Sequence, residues 1–246
     1  MSLVIENISK SFLIDGKSLP VLSDVTFNVE TGEFVAVIGP SGCGKSTLLR
    51  ILIGLEESES GKVLFEGTPL IAGNAMATMI FQHFALFPWM TVAENVGFGL
   101  KMQGVEKNKR QKTVEDLIGE VGLSGFGDKH PKELSGGMKQ RVGIARALSL
   151  SPKLLFMDEP FSALDAFTAE VLRNDLLSIW QKRKMTVVMV THLVEEAAEM
   201  ADKIVVLTQR PGKVEEIIDN KLRRPRNKRS KEFFDLEDRL LELVKV

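Results

Sequence analysis

Short runs of apolar residues, each ending on a polar or glycine-rich stretch, recur along this 246-residue chain. Phe34-Val35-Ala36-Val37-Ile38 runs into Gly39, and Leu154-Leu155-Phe156-Met157 into Asp158-Glu159. Val187-Val188-Met189-Val190 runs into Thr191-His192, and Ile204-Val205-Val206-Leu207 into Thr208-Gln209. Unbroken apolarity over four or five residues suits strands buried on both faces, as in parallel sheets. Between the second and third runs, residues 167–184 carry Val171, Leu172, Leu176, Ile179 and Trp180 at helical spacing. Strand, helix, strand repetition predicts a mostly parallel α/β sheet with right-handed crossovers. In such sheets ligands sit at the carboxyl ends of strands. Gln82, after the shorter run Met79-Ile80-Phe81, stands at one more such end.

The N-terminal part is patterned differently. Residues 3–8 and 21–29 are rich in β-formers, with alternation at Val25, Phe27 and Val29 and turn chemistry at Asp15-Gly16. With Lys62-Val63-Leu64-Phe65-Glu66-Gly67 they predict an antiparallel β lobe. Residues 92–150 show no convincing strand and hold helical stretches such as 113–121 between glycine-rich turns, which predicts an inserted helical subdomain. The expected organisation is one domain, 1–246: a catalytic core with its β lobe at 1–82 and 153–220, a helical subdomain at 83–152, and a basic linker with a C-terminal amphipathic helix at 221–246. Residues 221–231 hold seven basic side chains. They read as a solvated charged linker, with contact to anionic lipid headgroups as the other reading.

Composition narrows the classes. Hydrophobic content of 44% and charged content of 26% are those of an ordinary globular chain. A net charge of −1 gives no global attraction to nucleic acid. No apolar run approaches the ~18 residues of a membrane span, and the N-terminus does not read as a signal peptide. A single cysteine excludes an internal disulfide framework and suits a reducing cytoplasm.

The chemistry centres on Gly39-Pro40-Ser41-Gly42-Cys43-Gly44-Lys45-Ser46-Thr47, a G-x-x-x-x-G-K-S loop between a strand and a helix. Its glycines let backbone N–H groups turn inward, and the helix adds its positive N-terminal end, so the loop is expected to cradle a nucleotide's phosphates. Lys45 reaches the terminal phosphates and the Ser46 hydroxyl a magnesium ion. Asp158 carries a carboxylate towards that ion, and Glu159 is placed to take a proton from the attacking water. Leu134-Ser135-Gly136-Gly137-Met138-Lys139-Gln140-Arg141 is a second glycine turn opening a helix, read as another anion site or simply as a serine N-cap. Cys43 reads as a filler without a packing role, whose alkylation blocks nucleotide binding.

Taken in order and spacing, the first loop, Gln82, L-S-G-G-M-K-Q-R, L-L-F-M-D-E-P, Ser162-Ala163-Leu164-Asp165 and His192 resemble the ATP-binding subunit of ABC transporters, over about residues 3–212. The resemblance implies a P-loop NTPase that binds ATP and Mg2+ and pairs head to tail with a second copy of itself. Each ATP then lies between one copy's Lys45 loop and the other's Ser135-Gly136-Gly137. It further implies that Gln82 senses the γ-phosphate and the metal and links the two lobes, that His192 holds the γ-phosphate and attacking water, and that Asp165 bridges the two sites. Phe12 stands where the family stacks an aromatic ring on adenine, with a core role as its other reading. Phe84-Ala85-Leu86-Phe87-Pro88-Trp89-Met90 falls where the family receives a short helix of the membrane subunit. Phe87-Pro88-Trp89, Arg210-Pro211-Gly212 and Arg223-Arg224-Pro225-Arg226 resemble the importer branch for nitrate, sulfonates or taurine. The implied partners are integral-membrane permease subunits and an external substrate-binding protein, with the chain peripheral on the inner face of the cell membrane and no nucleic acid expected. The competing class is a soluble ATPase acting on nucleic acid or the ribosome.

Overall fold

The computed structural model describes residues 3–74 and 76–245. Val246, expected to end the C-terminal helix, lies outside them, as do Met1, Ser2 and Ala75. The strands are β1 (Leu3–Ile14), β2 (Lys17–Val29), β3 (Phe34–Ile38), β4 (Ser60–Phe65), β5 (Thr68–Pro69), β6 (Ala77–Ile80), β7 (Leu154–Asp158), β8 (Thr186–Val190), β9 (Lys203–Leu207) and β10 (Val214–Asp219). The helices are α1 (Lys45–Leu52), α2 (Val92–Met102), α3 (Lys107–Glu120), α4 (Gly136–Leu148), α5 (Ala166–Arg183), α6 (Val194–Met200) and α7 (Lys231–Val244). They fall into two compact units, Met1–Asn74 with Thr186–Val246, and Ala75–Met185.

In the first unit β1 and β2 form an antiparallel hairpin closed by Asp15 and Gly16, both at positive φ (50° and 74°). Two successive left-handed residues match the right-handed twist of a hairpin, which is why Asp-Gly serves there. The expected β lobe is the sheet β2-β1-β4-β5. The other sheet of this unit runs β10-β9-β3-β8, with β3 parallel to both neighbours and antiparallel β10 at the edge. All five residues of β3 and of β8 are buried, as their unbroken apolar runs foretold. Because β3, β8 and β9 share a direction, the segments after Ile38, Val190 and Leu207 emerge at one edge.

The second unit pairs β6 with β7 in parallel, so Gln82 and Asp158-Glu159 leave at a common edge. Helices α2, α3 and α4 occupy the stretch read as strand-free, and no strand appears there among the described residues. Helix α5 buries Leu172, Leu176, Ile179 and Trp180 but leaves Val171 exposed, so the apolar stripe is narrower than the spacing suggested.

The basic run is not a solvated linker. Arg226 donates through Nη1 to the carbonyls of Ala198 at 3.1 Å and Glu199 at 2.9 Å, and Arg224 donates to the Met200 carbonyl and the Asp202 carboxylate. Lys228 reaches Glu199 at 3.1 Å and Glu195 at 3.3 Å. These cations satisfy the orphan carbonyls at the C-terminus of α6 and complement its dipole. Burial, with Arg224 adjacent, pushes the Arg226 guanidinium down to about 10, still charged at neutral pH. Arg226→Ala is expected to cost about 1–3 kcal/mol and roughly 5 °C in Tm, read by thermal melting. An unchanged Tm would restore the linker reading. Beyond the run, α7 packs through Phe233 and Leu240.

Candidate active site

In the first unit the phosphate loop is a tight turn that buries Gly39, Cys43 and Lys45 and leaves Ser41 and Gly42 exposed. Gly44, the residue before α1, has φ 106°, and a Cβ there would stand 2.8 Å from Leu22 Cδ2, so both conformation and space demand glycine. Lys45 is 6% exposed, and its Nζ donates to the carbonyls of Gly39 at 2.8 Å and Pro40 at 2.9 Å. A buried ammonium facing the loop that opens α1 makes the turn a cationic cradle, the arrangement a polyphosphate requires.

Cys43 is 1% exposed, with Sγ 4.0 Å from Lys45 Nζ, and a Cβ on Gly39 would stand 3.1 Å from that sulfur. The reading of Cys43 as a filler without packing role is therefore wrong. Burial pushes its thiol pKa up, against the opposing pull of Lys45. Since the thiolate is the nucleophile, native chain at pH 8 should alkylate at least about tenfold more slowly than urea-unfolded chain, and MgATP should slow it further. Intact mass against time reads this, and equal native and unfolded rates would show an accessible thiol.

At the neighbouring strand end, Thr191 is buried, its Oγ1 donating to Glu196 Oε2 at 2.5 Å and accepting from Leu193 N at 3.1 Å. These bonds fix the turn that exposes His192 at the start of α6. The turn after β9 reaches the phosphate loop itself. Gly212 N donates to Val21 O at 2.9 Å, Ser23 N donates to Gly212 O at 3.0 Å, and a Cβ on Gly212 would stand 2.3 Å from the Cys43 carbonyl oxygen. Phe12 lies 37% exposed near the hairpin tip, opposite Leu19 and with Lys10 Nζ 5.1 Å from its ring centre. Its exposure removes the core reading.

In the second unit Asp158 is buried at the end of β7, and Glu159 follows with φ 44°, a left-handed conformation that strains a non-glycine residue. Gln82 Nε2 donates to Glu159 Oε2 at 3.1 Å. Ser162 Oγ donates to the Glu159 carbonyl at 3.0 Å, and the fully buried Gln140 of α4 donates to the Pro160 carbonyl at 2.6 Å. Three side chains, Gln82, Ser162 and Gln140, thus hold the turn that aims the carboxylate. Ser135 caps α4, its Oγ accepting from Met138 N at 3.3 Å, so the serine-cap reading describes its local bond. A Cβ on Gly137 would stand 2.6 Å from Thr168 Cγ2, which explains the glycine. Asp165 caps α5, and the Thr168 N–H on its carboxylate holds its pKa below the ordinary range.

Asn95 had gone unremarked in the sequence. Completely buried on α2, it accepts from Phe87 N at 2.8 Å and donates to the carbonyls of Phe87, Met90 and Thr91. The aromatic loop is thereby stapled to α2, with Trp89 70% exposed and Phe84, Leu86 and Phe87 half-buried. Beside it α2, α3 and the turn at 124–128 enclose a cavity of about 670 Å³, lined by Met90, Phe98, Val114 and Ile118 with Glu94 and Arg110 at hand. An Asn one turn past the Thr91 cap that ends the aromatic run was the available signal.

A family profile described as ABC transporter matches residues 22–162. An aliphatic sulfonates import ATP-binding protein of Bacillus cereus is 43% identical over 242 aligned positions, covering 98% of this chain and 95% of its own length. A nitrate import ATP-binding protein of Synechocystis is 42% identical over 254 positions, covering 100% of this chain and 96% of its own. Among solved structures, a dimeric post-hydrolysis ATP-binding cassette bound to ADP and Pi superposes with TM-score 0.80 at 30% identity, covering 89% of this chain and 99% of that one. A cassette of a Clostridium perfringens ABC transporter complex gives 0.78 at 26% identity, covering 89% and 88%. The mostly parallel sheet, the antiparallel lobe and the helical subdomain are those of a P-loop ATPase, and the chain belongs to the ABC transporter family as one of its ATP-binding subunits.

Proposed function

We propose that this chain is the energy-coupling ATPase of a membrane importer for a small anion such as nitrate, a sulfonate or taurine. Two copies pair head to tail, and permease subunits dock on the aromatic loop. The observation that carries the reading is the Gln82–Glu159 hydrogen bond, because it ties the candidate base to the residue from which the aromatic loop departs.

Each side chain has one task. The Gly39–Thr47 loop, including Pro40, Ser41, Gly42, Cys43 and Thr47, wraps the phosphates with its N–H groups, and Lys45 exchanges its two carbonyl partners for phosphate oxygens. Phe12 offers its exposed ring to adenine. Glu159 accepts the proton of the attacking water while His192 orients that water and the γ-phosphate. Ser135, Gly136 and Gly137 of the second copy close on the same phosphates, and Asp165 bridges the paired sites. The Ser46 hydroxyl, the Asp158 carboxylate and the Gln82 amide oxygen are hard oxygen donors, the type that would hold Mg2+. When bound, that ion neutralises developing phosphate charge.

No helix among the described residues is long and apolar enough to cross a membrane, so transport requires partner subunits. The exposed Trp89 beside a cavity lined by both apolar and charged side chains supports docking of a short amphipathic helix there. The relatives' import names support the small-anion class and, with it, an external binding protein and a place on the inner face of the membrane. The test is affinity purification of the tagged chain from detergent-solubilised native membranes, with partners identified by mass. Two integral-membrane subunits are expected, and Trp89→Ala should reduce their recovery. Recovery with ribosomes or nucleic acid alone would overturn the importer reading while leaving the ATPase.

A further inference from the structure

The loop that leaves Gln82 is held in an unfavourable shape. Phe84 and Ala85 are both left-handed, with φ 61° and 48°, although neither is glycine. Such residues cost on the order of 1–3 kcal/mol each and persist only where surrounding groups enforce them. Asn95 fixes the far end of the loop. The strained end is fixed by Arg146, in the last turn of α4. Its Nη1 donates to the Ala85 carbonyl at 2.6 Å, its Nη2 to the Phe84 carbonyl at 3.0 Å, and its guanidinium carbon lies 6.0 Å from the centre of the Phe87 ring. One turn earlier, a Cβ on Gly143 would stand 3.6 Å from the Phe84 carbonyl oxygen, so the loop backbone lies directly on α4. Burial lowers the Arg146 pKa.

We propose that Arg146 is the latch of this loop: its planar fork holds the two left-handed carbonyls together and fastens residues 84–90 to α4. Arginine suits the task because one rigid planar group satisfies two acceptors at once while lying over an aromatic ring, whereas lysine offers a single point charge without the fork. Helix α4 carries Ser135 at its N-cap and Arg146 in its last turn, about 16 Å apart along the axis. A displacement at the Ser135 end therefore reaches the loop through one rigid element. That this loop receives the membrane subunit rests on the function proposed above; the latch itself does not. Arg146 is a positioning residue and touches no substrate.

The loop carries its own reporter. The chain has two tryptophans, of which Trp180 is buried with its Nε1 bonded to the Met185 carbonyl, and Trp89 is exposed. Subtracting the emission of the Trp89→Phe chain isolates Trp89. In Arg146→Lys and Arg146→Ala, Trp89 anisotropy should fall and its acrylamide quenching rise. Recovery of the membrane subunits should drop roughly tenfold, the equivalent of one lost charge-assisted fork. Should Arg146→Ala fail to fold, Arg146→Lys, which keeps the stem and charge, carries the test. Unchanged anisotropy and quenching in a folded variant overturn the latch. Altered Trp89 signals with undiminished membrane-subunit recovery establish the latch and remove the docking reading instead.

Discussion

Glu159→Gln should lower ATP hydrolysis by roughly two to four orders of magnitude while nucleotide binding survives. The replacement keeps the shape of the side chain and an oxygen for Gln82 to donate to, but it removes the one capacity the proposal assigns to Glu159, acceptance of a proton. The rest of the turn has no reason to move. Ser162 bonds the backbone carbonyl of residue 159, and Gln140 that of Pro160; neither touches the changed atoms. Blocking hydrolysis after ATP has assembled the head-to-tail pair should therefore trap the pair. Phosphate release measures the first effect and size-exclusion chromatography at saturating MgATP the second. A loss of about 3–5 kcal/mol of transition-state stabilisation corresponds to that rate change. A chain that remains monomeric under those conditions would refute the paired scheme, and one that hydrolyses at the original rate would remove Glu159 as the base.

Gly212→Ala should weaken ATP binding about ten- to a hundredfold, although the residue is far from the phosphate loop in sequence. Gly212 lies outside the left-handed region, so alanine is conformationally admissible and the effect is purely steric. Its new Cβ would meet the Cys43 carbonyl oxygen at 2.3 Å. Retreat is blocked, because Gly212 is bonded on both sides to β2, through Val21 O and Ser23 N. The Leu22 and Val21 side chains of that strand in turn press on Gly44. The phosphate loop is therefore the part that yields. Overpacking of this kind costs about 1–3 kcal/mol, which sets the range of the affinity loss. Calorimetric titration with ATP reads it directly, and KM should rise more than kcat falls. Unaltered affinity would mean that the 208–213 turn, not the loop, absorbs the methyl group.

Gly212 also shows where sequence reading stops. Arg210-Pro211-Gly212 was legible as a family-branch resemblance, but not as the backbone that supports Cys43, because that contact joins segments about 170 residues apart. The same limit applies to the basic run. Seven cations in eleven residues look like a solvated stretch until the end of α6 supplies carbonyls for them. Cys43 looked unconstrained because a phosphate loop is imagined facing solvent, whereas its side chain turns inward against Gly39 and Lys45. By contrast the Asp15-Gly16 hairpin, the helix opened by Ser135 and the unbroken strands β3 and β8 were readable, since each depends on neighbours within a few residues or on simple burial.

By itself the sequence determined the kind of molecule: apolar runs ending in Gly39, Asp158 and Thr191, and a G-x-x-x-x-G-K-S loop, are local patterns whose chemistry follows from backbone geometry and residue type. Tertiary structure alone decided which groups restrain that chemistry. Gln82 on Glu159, Gly212 under the phosphate loop, Arg224 and Arg226 on α6, and Arg146 across the strained corner at Phe84-Ala85 are pairings between distant segments. They arise because a buried polar group must find a partner wherever the fold brings one, and sequence spacing carries no record of that choice.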